Sequence, residues 1–139
     1  MGLQIDFYKC YSADSIYVGK NTEFVNADGI FERVLPRVTG ARSGGVRITL
    51  HENMPQDVID RINTAFGEVY AEHQEGYAAV ISGNGIDVYA LSRRGLLFGC
   101  YALLREGKEG HFSCGILYNY PTIKTRAVKV FLPAVQNLD

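Results

Sequence analysis

Tryptophan is absent from this 139-residue chain, cysteine occurs three times and histidine three times, and neither sign of charge predominates. Each scarcity removes a class of function. With a net charge of -1 and its densest basic clusters limited to Arg93-Arg94 and Lys124/Arg126, the chain offers no broad positive field for nucleic acid or an anionic membrane. Cys10, Cys100 and Cys114 are far apart, form no C-x-x-C pair and are odd in number, so reduced, mostly buried thiols are expected. His51, His73 and His111 stand singly, without the spacing of a metal site, and read as loop or surface histidines. No apolar run reaches transmembrane length, and the N-terminus lacks the charged and apolar regions of a signal peptide. Nothing in the residues indicates a compartment, a cofactor, a metal or a catalytic residue.

What remains is ordinary globular material, 47% hydrophobic and 21% charged, enough for one core. Leu3, Ile5 and Phe7 alternate with polar neighbours, the period-two pattern of a half-buried strand, and a second short strand fits Ser15–Gly19. Phe31, Val34, Leu35 and Val38 then recur at helical spacing. Asn26 or Asp28 is placed to cap this helix, Pro36 to kink or shorten it, and Gly40 to end it in a left-handed conformation. Val46, Ile48 and Leu50 share one face of a further strand, and Val58, Ile59, Ile62, Phe66, Val69 and Tyr70 suggest a short helix.

The strongest local signal is a hairpin: a strand over Glu75–Ser82, Gly83-Asn84-Gly85 as positive-φ turn residues, and an alternating strand over Ile86–Leu91. Ser92 caps the helix that follows, Leu96, Leu97, Cys100, Leu103 and Leu104 form its stripe, and Gly107 stops it after Glu106. Gly95 and Gly99 share a face of this helix, each costing roughly 1 kcal/mol relative to alanine, so a close approach to a neighbour is expected there. Phe112–Tyr120 reads as a strand closed by Pro121. Arg126–Leu132 is a nearly continuous apolar strand of the kind buried on both faces, with little after it to provide cover. The fold class that results is α+β: a single, mainly antiparallel (mixed) sheet with two main helices packed on one face.

The run from Glu75 to Arg126 resembles the second half of the N-terminal domain of family 20 glycoside hydrolases, the β-N-acetylhexosaminidases. The residues that carry the resemblance are Glu75, Tyr77, Arg94, Gly95, Gly99, Leu103 and Leu104, followed by Tyr120-Pro121 and Arg126 as the junction to a barrel. "VLPRVTG" resembles the family's first helix, and related ancillary domains precede α-glucuronidase barrels. The resemblance implies an ancillary domain over residues 1–124, the start of a truncated catalytic (β/α)8 barrel over residues 125–139, and a non-catalytic scaffold that packs its helices on the parent's own barrel. In the family, an R-G-x-x-x-D-x-x-R run begins the barrel. Here Phe131 stands at the aspartate and Ala134 at the last arginine, which separates this chain from typical hexosamine specificity.

Other chemistry is weaker. Glu68, Glu72 and Glu75, and Asp57 with Asp60, sit in polar stretches and read as solvated charge, not as a glycosidase's opposed carboxylates. The glycine-rich Thr39–Val46 precedes a strand and lacks the G-K-[ST] ending of a phosphate loop, so it reads as a flexible connection. Nine tyrosines leave a carbohydrate-binding surface as the alternative function, although Tyr77, Tyr89, Tyr118 and Tyr120 lie in strands, where tyrosine packs. The expected partners are therefore a catalytic barrel, carbohydrate as the second candidate, and a second copy of the chain through the exposed closing strand.

Overall fold

A computed structural model describes residues 8–72 and 76–120. The elements run β1 (Lys9–Tyr17), β2 (Glu23–Val25), α1 (Ile30–Val34), a 3-10 turn (Leu35–Val38), β3 (Arg47–His51), α2 (Gln56–Phe66), β4 (Tyr77–Ser82), β5 (Gly85–Ala90), α3 (Arg93–Glu106) and β6 (His111–Asn119). The six strands form one sheet in the order β1-β6-β4-β5-β3-β2. β1, β6, β4 and β5 pair antiparallel, whereas β3 runs parallel to β5 and β2 parallel to β3. The mixed α+β sheet expected from the sequence is present. The strands expected at residues 3–8 and 126–132, His73, Glu75 and the boundary at residue 124 lie, Tyr8 apart, outside the described residues.

β4 decides the layering. Tyr77, Ala78, Ala79, Val80 and Ile81 are all buried, so alternate residues face two different cores. On one side Ala79 and Ile81 join Ile48, Leu50, Ile86, Val88 and Leu117 beneath Phe31, Leu35, Leu96, Cys100 and Leu103 of the two main helices. Those helices share a face, as their stripes require. On the other side Ala78 and Val80 join Ile116 and Tyr118 beneath Val58 and Ile62 of α2. The helix expected from the stripe at residues 58–70 thus covers the second face, apart from the other two.

Several local signals act differently from expectation. Neither Asn26 nor Asp28 caps α1: the N-cap is Gly29, at φ 53°, with no side-chain acceptor. Asn26 instead donates from Nδ2 to the carbonyl of Leu50 at 3.0 Å, tying the loop to β3. Pro36 does break the helix, converting its second half to the 3-10 turn. Gly40 is not a left-handed stop. It is needed because a Cβ there would strike the Glu109 carbonyl oxygen and the Tyr17 hydroxyl. In the hairpin only Gly85 has positive φ, 143°, and its missing side chain lets the Arg47 backbone pass. β1 is one strand from Lys9 rather than a short strand at Ser15–Gly19, and it bulges between Tyr11 and Ser15.

α3 follows its sequence signals closely. The Ser92 hydroxyl accepts from the Gly95 amide at 3.1 Å, and the chain leaves the helix at Gly107. Its far end is pinned to the edge strand, where Lys9 Nζ meets Glu106 Oε2 at 2.9 Å and the Tyr11 hydroxyl donates to Glu106 Oε1 at 2.8 Å. Gly99 explains the helix's close seat on the sheet: a Cβ there would lie 2.6 Å from Val88 Cγ1 and 3.4 Å from Tyr77 Cβ. Gly99→Ala is therefore expected to lower the unfolding free energy by about 1–3 kcal/mol. Ser92→Ala is expected to cost about 1 kcal/mol through the lost cap. Gly83→Ala, where a Cβ meets nothing, should leave the urea midpoint unchanged.

Candidate functional site

The surface least accounted for by the domain itself is the outer side of α3 with the start of α1. The inner side of α3 is spent on the core through Leu96, Cys100 and Leu103, and through the small residues Gly95, Gly99 and Ala102. A soluble helix would turn a polar face outward at the remaining positions. Here Leu97, Phe98 and Leu104 are half-buried and Tyr101 is 44% exposed. Ile30, 45% exposed, adds to this surface from α1. A cavity of about 240 Å³ opens between the helices, lined by Ile30, Phe31, Arg93, Arg94, Leu97 and Phe98. Arg93 frames it: its guanidinium lies 5.0 Å from the Phe31 ring centroid and 3.5 Å from Asp28 Oδ1. Gly99, expected to meet a neighbour, faces the domain's own sheet, while Leu97, Phe98 and Leu104 pack partly against the same core and Tyr101 stands outside it.

The candidate reactive groups do not assemble. Asp57 and Asp60 are exposed on α2, with Gln56 Nε2 donating to Asp60 at 3.0 Å, and Glu68 and Glu72 are exposed beyond the helix. A glycosidase needs two carboxyl groups facing one another across a bound sugar, and these four ride on an outer surface. His51 is paired through Nε2 with Asp87 Oδ1 at 2.9 Å and stacks on Tyr89, centroids 4.5 Å apart. His111 packs beside Tyr17, which also carries Arg42 at 4.0 Å above its ring. Among the described residues no group of three or more His, Cys, Asp or Glu side chains is placed to hold a metal ion.

The glycine-rich loop is also committed. Its amides at Arg42, Gly44 and Val46 donate to Tyr17 Oη, Asn21 Oδ1 and Thr22 Oγ1, so these donors are directed at the protein and not at a ligand. Of the strand tyrosines, Tyr77 and Tyr118 are buried and Tyr89 and Tyr120 half-buried, which is packing use. The signal that identifies the outer face of α3 was present in the sequence as the extra apolar residues Phe98 and Tyr101, which fall off the inner stripe.

The sequence matches no protein-family model and no curated protein. The structure has recognisable neighbours. It matches CpGH84D at a TM-score of 0.56 and 15% identity, covering 84% of this chain and 23% of that one. It matches the GH20 β-N-acetylhexosaminidase from Streptomyces coelicolor A3(2) at a TM-score of 0.54 and 15% identity, covering 85% of this chain and 26% of that one. The likeness is one of fold. The chain spans about a quarter of each of these larger neighbours.

Cysteine chemistry provides a direct check on the two cores. Burial pushes the Cys100 thiol up to about 12, and burial likewise raises the Tyr118 phenol. Both groups are then neutral in the folded chain at a pH where the unfolded chain has released their protons. Their contribution is complete below the unfolded thiol value of 9.0 and is lost as pH climbs from there toward 12. Unfolding midpoints are expected to hold steady up to about pH 9 and to fall above it. At neutral pH a thiol reagent should label exposed Cys10 at once, and buried Cys100 and Cys114 only after denaturation.

Proposed function

We propose that this chain is a non-catalytic support domain of a glycoside hydrolase of the hexosaminidase type, packing the outer face of α1 and α3 against the catalytic barrel of its parent. The observation that carries the reading is the apolar surface shared by α1 and α3, where Ile30 and Tyr101 are exposed and Leu97, Phe98 and Leu104, packed partly against the domain's own core, leave part of their surface open. Full burial of a large apolar side chain contributes about 1.5–3 kcal/mol, so covering the exposed halves of Ile30 and Tyr101 would favour docking by about half that at each. Three further facts agree: the fold likeness to CpGH84D and to the Streptomyces β-N-acetylhexosaminidase, the small share of those chains that it spans, and the Arg94-Gly95…Gly99 resemblance in the sequence. Residues 1–124 are the support domain in this reading and residues 125–139 enter the barrel.

The parent's chemistry is placed elsewhere by the same reading. The outer-surface positions of Asp57, Asp60, Glu68 and Glu72 suit solvated charge, and the work of α3 is to orient a neighbour. Carbohydrate binding by exposed tyrosines is the competing function. Tyr11 gives its hydroxyl to Glu106, and Tyr101 belongs to the apolar face, so neither is set in a row of sugar-stacking rings.

Assay of the 139-residue chain with aryl N-acetylglucosaminides and aryl glucuronides is expected to show no turnover above buffer, and measurable hydrolysis would end the proposal. Titration with oligosaccharides is expected to leave tyrosine fluorescence unchanged. A saturable change would transfer the function to sugar binding.

A further inference from the structure

The docking face differs in charge from the rest of the molecule. α1, the 3-10 turn and α3 carry Arg33, Arg37, Arg93, Arg94 and Arg105, all exposed, against Glu32, Glu106 and the neighbouring Asp28; Glu106 is paired with Lys9 and Asp28 with Arg93. The opposite side, α2 and the residues after it, carries exposed Asp57, Asp60, Glu68 and Glu72 against Arg61. A chain of net charge -1 therefore has a basic helical face and an acidic one. The basic face also holds the apolar cavity, and Arg93 and Arg94 stand on its rim beside Leu97 and Phe98.

An apolar cleft rimmed by guanidinium groups selects its partner by two criteria. An aliphatic or aromatic side chain fills the cleft, and carboxylates beside it meet planar, weakly hydrated arginine groups that bind them with two donors each. A lysine- or arginine-flanked element would bring like charges together as water is excluded, which costs far more than it does in solution. A sulfated or uronic polysaccharide would satisfy the arginines but leave Ile30, Leu97 and Phe98 uncovered.

We infer that the face of α1 and α3 receives an acidic protein element, which inserts one apolar side chain between Ile30, Phe31, Leu97 and Phe98 and sets carboxylates against Arg93 and Arg94. The inference rests on the reading of this face as a domain-docking surface and adds to it the chemistry of the docked element: the barrel segment that seats here is acidic around an apolar anchor.

The test uses two synthetic amphipathic helical peptides with the same leucine–phenylalanine stripe, one flanked by glutamates and the other by lysines, titrated into the 139-residue chain and followed by amide chemical shifts. The glutamate peptide is expected to shift residues 30–38 and 93–106, to bind at least about tenfold more tightly than the lysine peptide, and to weaken as salt screens the pairing. Phe98→Asp should abolish the shifts. Arg94→Glu, at an exposed position, should narrow or invert the preference between the peptides. Equal binding of the two peptides, shifts confined to α2, or no shift with either peptide would overturn the inference. So would a sulfated polysaccharide that binds the wild type and Phe98→Asp alike, since that marks a simple polyanion patch. Docking of the parent barrel on this face without charge preference would remove the acidic-element claim alone and leave the support-domain reading standing.

Discussion

The double-sided burial of β4 is the constraint from which the rest of the molecule follows. A strand whose consecutive residues Tyr77–Ile81 are all excluded from water needs a covering layer on each side. The chain supplies them unequally. α3 crosses from β5 to β6 over one face, with α1 and the 3-10 turn beside it, and α2 crosses from β3 to β4 over the other. Placing β4 between β6 and β5 then requires both crossovers to step over a strand, which fixes the order β1-β6-β4-β5-β3-β2. Gly99 lets α3 approach closely enough to close the larger core over Val88 and Tyr77.

With α3 seated so deeply, the docking role proposed for it falls to the residues left partly outside. Alanine and glycine suffice on the inner side because the sheet is near. Leu97, Phe98 and Leu104 flank that inner side and pack partly against the same core, and Tyr101 stands outside it, 44% exposed. The same helix thus holds its own domain together through small residues and through Leu96, Cys100 and Leu103, and in the proposed reading it offers a neighbour Tyr101 and the open parts of its flanking residues. Its ends are fixed by local chemistry, the Ser92 cap at one and the Lys9–Glu106–Tyr11 cluster at the other. Rigidity is what a docking surface gains most from, because ordering costs are met during folding rather than at association.

The sequence disclosed the parts governed by nearest neighbours. The hairpin, the extent of α3, the strand ending before Pro121 and the break at Pro36 all depend on residues within a turn or two of each other, and they were legible. β2 was not, because three residues make no period and its parallel partner β3 lies more than twenty positions on. The role of Gly40 was misread for a related reason: the Glu109–Gly110 backbone that crowds it is distant in sequence and adjacent only after folding. Asn26 looked like a cap by composition, yet the Leu50 carbonyl was a better partner for its amide. For the candidate site, the apolar surplus of α3 was visible as residues, but which of them faced outward required the sheet to be in place.

Footprinting of aromatic side chains by hydroxyl radicals, comparing the 139-residue chain with the longer parent polypeptide that the support-domain proposal requires, bears most directly on that account. Phe98 and Tyr101 should be readily oxidised in the short chain and protected in the parent, while Phe66 and Tyr70 on the α2 side oxidise equally in both. Equal oxidation of Phe98 and Tyr101 in the two polypeptides would contradict it.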